Sequence, residues 1–229
     1  NDTNWIDQGL TENGSYSVTG IFWRTAFVKD GPKNVNQVFE NFQDNRFTVA
    51  QRMQFRDERI IGNPTDPNTG FPIGYSKVSQ DVLIQSFLSA YRGSDPGRDP
   101  LTAFPRIPLP GWNINFNGLS KIKPIQKIFS NITLTHRYQA RYQVSSFNRN
   151  LGFNANQVIQ NNEDFVPRFQ INDVTINESF APLIGLQVST KNQWTFNAEY
   201  KKMRTVRLMV AQFNVTELRS EEFMFRVGY

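Results

Sequence analysis

A chain of 229 residues without cysteine excludes disulfides, thiolate metal sites and a cysteine nucleophile, and no run of about 18 apolar residues supplies a membrane-spanning helix. Its +5 formal charge comes from basic residues scattered along the sequence, which argues against a nucleic-acid surface. Aromatics reach 14%, 20 of them Phe, yet mean hydropathy is −0.50, a combination that suits strands with two unlike faces.

The length fits one large or two small domains. The chain starts at Asn1 without the charged and apolar regions of a secretory signal, so a mature chain or a portion of a longer one is expected. Residues 15–28, SYSVTGIFWRTAFV, read as strand, with Tyr16, Val18, Phe22 and Phe27 among β-branched residues. Val35, Val38, Phe39 and Phe42 fall at helical spacing and predict a helix over 35–56. A second helix is predicted over 79–93. Ser79 or Asp81 would cap it, Leu83, Phe87 and Tyr91 form its apolar stripe, and Gly93 ends it. Core packing is the expected role of both stripes. GNPTDPNTGFPIG and RGSDPGRDP carry the Gly, Pro, Asn and Asp of loops. Residues 31–110 are therefore expected to form a helix-and-loop insertion between a strand region over 1–30 and further strands over 111–229.

Residues 131–146 give the clearest pattern. Ile132, Leu134, Tyr138, Ala140, Tyr142 and Val144 alternate with Thr133, Thr135, Arg137, Gln139, Arg141 and Gln143, so one face is apolar and one polar. The run exceeds the ordinary strand of about 5–6 residues and suits a tilted membrane strand of about 9–11. The apolar set is expected to face lipid and the polar set a lumen or water, because Arg facing lipid at the bilayer midplane costs about 2–4 kcal/mol. His136 interrupts the apolar phase, so cover is expected there. Later, Val174 and Ile176, then Ile184, Leu186 and Val188, continue the alternation. A turn is predicted at Thr190-Lys191-Asn192, before Trp194, Phe196, Ala198 and Tyr200. Lys201-Lys202-Met203-Arg204 reads either as a hairpin turn or as the protruding part of one long strand. Val206, Leu208 and Val210 keep the phase, and Phe223, Phe225, Val227 and Tyr229 alternate to the end. The fold class expected is mainly β, a segment of a large antiparallel transmembrane barrel with a small helical insertion.

Five segments in order resemble the SprA/Sov family. They are VFENFQDNRFTVAQRM (38–53), DVLIQSFLSAYRG (81–93), IPLPGWNINFNGLSKI (107–122), VTINESFAPLIGLQVSTKNQWTFNAEYKK (174–202) and LRSEEFMFRVGY (218–229). Gln193 departs from the Gly that the family's turn tends to carry, and Gly111 stands where the family form has Asn, a change expected to be harmless. The resemblance implies a large outer-membrane barrel of Bacteroidetes-type bacteria. Such a barrel passes folded cargo to the cell surface in type IX secretion and gliding motility. It further implies a PorV-like barrel partner, a plug protein, outer-membrane lipid and the remainder of the same barrel as partners.

No catalytic residue, cofactor or metal site is expected. His136 is the only histidine, with no second His or Cys beside it in sequence. Glu221 and Glu222 are adjacent and would point to opposite faces. Asp66, Asn68, Asp95 and Asp99 sit in loops without the acidic series of an EF-hand. Arg137, Arg141, Lys201, Lys202, Arg204 and Arg207 are expected to make a hydrophilic lining that passengers do not adhere to. Two other readings compete: a soluble β-sandwich on a surface protein, which would put Ile132, Tyr138 and Tyr142 in a protein core, and an outer-membrane enzyme, which would need a nucleophile with a histidine partner.

Overall fold

The computed structural model describes residues 12–32, 35–153 and 164–229. Its frame is β3 (Phe129–Arg149), whose alternation from Ile132 to Val144, interrupted only at His136, favours extended chain. One edge of β3 is paired by two short strands laid end to end, β1 (Asn13–Thr19) over Arg141–Asn148 and β2 (Trp112–Phe116) over Leu134–Tyr138. Its other edge pairs β4 (Phe169–Ile171) and β5 (Asp173–Thr190), followed by β6 (Thr195–Met209) and β7 (Asn214–Gly228). All pairs are antiparallel, and the seven-stranded sheet does not close. The strand expected over 15–28 ends at Thr19, and a one-turn helix, α1 (Trp23–Ala26), follows.

The basic run Lys201–Arg204 lies in the middle of β6 and is not a turn. The hairpin instead falls at Val210–Phe213, and the charged stretch 214–222 extends in β7. The Ser189–Thr195 pair closes the predicted turn, in which Thr190 N–H donates to the Trp194 carbonyl at 2.8 Å. Gln193 takes the left-handed conformation there (φ 67°), the geometry for which glycine is preferred.

α2 (Gln37–Arg56) and α3 (Gln80–Arg92) arise where the spacing predicts them. The Asn36 side chain caps α2, its Oδ1 accepting from Val38 N–H at 2.9 Å and Phe39 N–H at 3.1 Å. Ser79 stands at the start of α3 without a side-chain cap bond, and Gly93 ends the helix with φ 66°. α3 is buried all round from Val82 to Tyr91 because it lies between the sheet and α2. A short helix, α4 (Lys123–Gln126), precedes β3. α1, the first turns of α2, and α3 share a hydrophobic core with the sheet, and the later part of α2 packs in a smaller cluster against Val82 of α3. Of the strand region expected over 1–30, residues 1–11 lie outside the described residues. A Cβ at Gly111 would meet the Tyr138 carbonyl oxygen at 2.6 Å, so the chain's close approach to the β3 backbone there is built around glycine.

A two-faced sheet as the candidate functional site

Register carries the two faces of β3 across the whole sheet. On one face Gln143 sits beside Thr175 and Arg207, Arg141 beside Asn177 and Thr205, and Gln139 beside Ser179. Hydrogen bonds link these rows. Asn177 Nδ2 donates to Gln143 at 2.8 Å, Thr205 Oγ1 to Asn177 at 3.0 Å, and Arg207 Nη2 to Asp173 at 2.8 Å. Arg137, Gln139 and Arg141 are exposed on this face, and Thr133, Thr135 and Gln143 are half-buried. Among the described residues, α1, α2 and α3 pack on the other face.

The opposite face divides in two along the strands. In one half, Tyr138, Ala140, Tyr142 and Val144 of β3 meet Val174, Ile176, Val206 and Leu208 beneath Leu83, Ile84, Phe87 and Tyr91 of α3. These four β3 residues are at most 2% exposed and contact protein, which corrects their expected lipid-facing placement. Alternation marked the face as apolar, but what covers it is supplied by chain 50 residues away. In the other half none of α1, α2 and α3 covers the sheet. Leu134 adjoins Leu186, Val188 adjoins Phe196, and Ala198 adjoins Phe225, while Ile132, 8% exposed, donates its backbone N–H to Ser120 Oγ at 2.7 Å. Ile184, Phe223, Phe225 and Val227 are 50–71% exposed. Trp194 and Tyr229, ring centroids 4.9 Å apart, bound this apolar band at one end. At its other end the chain bulges in β5 between Phe180 and Ile184.

A buried ion pair joins sheet and helices in the covered half. Arg204, expected in a water-facing lining, turns inward and is 3% exposed, as is Glu178. Arg204 Nη2 lies 2.7 Å from Glu178 Oε2, and Nη1 donates to the Thr25 carbonyl at 2.9 Å. Tyr138 Oη donates to Glu178 at 2.7 Å and accepts from Phe22 N–H at 2.7 Å. A basic residue amid alternating apolar neighbours was the sequence sign that one charge faces the core. Lys202 also lies on this side and pairs with Glu221 at 3.0 Å, whereas Lys201 reaches Glu222 on the polar face at 3.4 Å. Glu221 and Glu222 thus point oppositely, each toward a lysine.

His136 Nδ1 stands 2.6 Å from the Leu183 carbonyl, and its ring lies between Trp112 and Phe180. This explains the break in the apolar phase, since the polar nitrogen meets the bulge backbone. The loop carboxylates shape their own turns. Asp66 accepts from Asn68 N–H and Thr69 Oγ1, Asp95 from Gly97 N–H, and Asp99 from Ser89 and Ser94. Among the described residues no group of three or more His, Cys, Asp or Glu is placed to hold a metal.

Beyond the α2 C-terminus, Asp57 accepts from Arg59 Nη2 at 2.6 Å and from Tyr75 Oη at 2.7 Å. Burial opposes its ionisation, but these donors outweigh burial and hold the carboxyl below the usual Asp value. Burial, with the Asp57 charge beside it, pushes the Tyr75 phenol up, so it remains a donor. A depressed folded-state value means that the stabilisation is present above the unfolded-state pKa of about 4 and is lost as pH falls through the folded value. Asp57→Asn is expected to destabilise the loop by about 1–3 kcal/mol at neutral pH. Hydrogen exchange of the last α2 turn at pH 7 and at about pH 2, below the depressed folded value, checks this: the variant's deficit should shrink at the lower pH, and an equal deficit at both pH values would contradict it.

No family model matches this chain, and no curated protein is detectably similar to it.

Proposed function

We propose that this chain forms part of the wall of an outer-membrane β-barrel that conducts secreted proteins to the cell surface, as the resemblance to the SprA/Sov family implies. The observation carrying this reading is the exposed apolar band, on the reverse of a face that is polar along the strands. The open band runs from the Ser189–Thr195 pair to the Ile184–Tyr200 pair, and β6 crosses it without a bulge in the residues Thr195–Tyr200. At about 3.3 Å per residue and a tilt near 45° that stretch rises roughly 14 Å, and the aromatic borders at its two ends extend it toward the ~25 Å apolar height of such barrels. The Trp194–Tyr229 pair suits an interfacial aromatic girdle. Thr, Asn, Gln and Arg side chains on the reverse suit a wet lumen, along which folded cargo meets little apolar surface. Among the described residues β7 has no partner on its outer edge. Its backbone groups need a further strand if they lie in hydrocarbon, because nothing there replaces water as a hydrogen-bond partner. Remaining barrel strands, cargo, a PorV-like barrel and a plug protein are then its partners.

The sandwich reading gains from Tyr138 and Tyr142, which lie in a protein core as it requires. It also requires a second sheet over Leu186 and Phe225, and the described residues form a single sheet. Single cysteines at Leu186 and Gln187, in the full-length protein in outer membranes, separate the readings. Reaction of position 187 with a bulky water-soluble thiol reagent, and of position 186 only with a lipid-phase reagent, is expected. Reaction of position 186 from water, or its protection from both reagents, sinks the barrel reading.

A further inference from the structure

We infer that the helical layer stands on the outer, lipid-side flank of the wall and seats Phe27 in the headgroup zone of the bilayer, leaving the lumen face clear. This rests on the barrel reading above. Where strands of a barrel have one polar and one apolar face, the apolar face points outward. In β6 the alternation runs without a bulge from Phe196, Ala198 and Tyr200 in the open band to Arg204, Val206 and Leu208 beneath the helices. The same strand surface therefore meets the apolar band and then the helical layer. Helices packed on it lie outside the barrel, beyond the membrane edge, and the polar side carries none of them.

The border between the two zones has the composition of a bilayer interface. It runs through Trp112, His136, Phe180, Phe27 and Lys202. Trp112 stacks on Tyr138 at 4.4 Å, and Phe27 packs on Phe180 at 5.1 Å. Lys202 Nζ stands 5.2 Å from the Phe27 ring centre. Phe180 and Lys202 form the last strand pair before the β5 bulge, and the next pair, Ile184 with Tyr200, belongs to the open band. Phe27 is 47% exposed although it belongs to the helical layer, so a large apolar ring at this border has no protein over half its surface. A half-exposed aromatic ring beside a lysine suits the interface, where the ring enters the acyl boundary, and the Lys202 ammonium is itself held by Glu221 at 3.0 Å. Trp194 and Tyr229 stand at the opposite end of the band. The band is thus bounded by aromatics at both ends, one girdle made by the sheet and the other by Phe27 of the helical layer with Trp112 and Phe180 of the sheet.

Nitroxide accessibility in the full-length protein tests this. Labels at Phe27→Cys, Leu186→Cys, Gln187→Cys and, in an exposed loop, Asn68→Cys are compared in outer-membrane vesicles, using oxygen as the lipid-phase relaxer and a nickel chelate as the aqueous one. The expected oxygen-to-nickel ratio is high at 186, low at 187 and 68, and intermediate at 27. A label at Lys29→Cys, with Phe27 intact, repeats the border measurement if loss of the ring unseats α1. With 186 in lipid and 187 in water, a value at the border equal to that at 68 overturns the seating alone, and so does one equal to that at 186. Water at both 186 and 187 overturns the wall reading, and the inference with it.

Discussion

Arg204→Met is expected to open the helical layer from the sheet, raising hydrogen exchange of α3 amides by roughly 150-fold or more. The guanidinium is held by Glu178, by the Thr25 carbonyl and Oγ1, and by the Phe22 carbonyl. Its removal leaves the Glu178 carboxylate buried with Tyr138 as its remaining close donor. An uncompensated buried charge costs about 3–5 kcal/mol, and about 1.4 kcal/mol corresponds to a factor of ten in opening. Glu178→Leu combined with Arg204→Met should recover most of that loss, because the pair's own contribution is offset by its desolvation. Exchange in the single variant within about tenfold of the parent would mean that the network does not hold the layers together. The pair's physical role is registration, since only one placement of α1 over β5 and β6 lets the Phe22 and Thr25 carbonyls meet Arg204.

Phe225→Arg is expected to cost about 2–4 kcal/mol of folding in the membrane, and Met224→Arg, one residue away, less than about 1 kcal/mol. Phe225 is 59% exposed and stands opposite Ala198 in the open apolar band, whereas Met224 is on the polar face opposite Glu199. In hydrocarbon the first substitution places a guanidinium where no water or partner solvates it, while the second adds one more cation to a polar surface. The fraction of full-length protein recovered as folded, heat-modifiable barrel in outer membranes reports the difference. Equal tolerance of both substitutions would mean that this band does not meet lipid.

Much of the local structure was legible. Alternation from Ile132 to Val144 named both faces of β3, and Gly93 ends α3 as read, whereas α2 starts at Gln37 behind an Asn36 cap that leaves Val35 outside the helix. The 214–222 part of β7 was harder to see, because Val215, Glu217, Arg219 and Glu221 form no apolar row. That strand is extended because the whole of β6 pairs with it. The border role of Phe27 was likewise hidden, since nothing near it in sequence shows Phe180 or Lys202 beneath it.

Sequence alone determined which neighbouring residues share a face and placed the turn after Thr190, because side-chain direction follows from backbone period within a few residues. Tertiary structure alone decided that α3 covers half of the apolar face and leaves half open. It also decided that Arg204 enters the core while Arg207 does not, and that Gly111 must pass close to the β3 backbone. The physical reason is that apolar periodicity records a preference to leave water. It is the same whether helix, sheet or lipid satisfies that preference, and the choice is made by segments far apart in the chain.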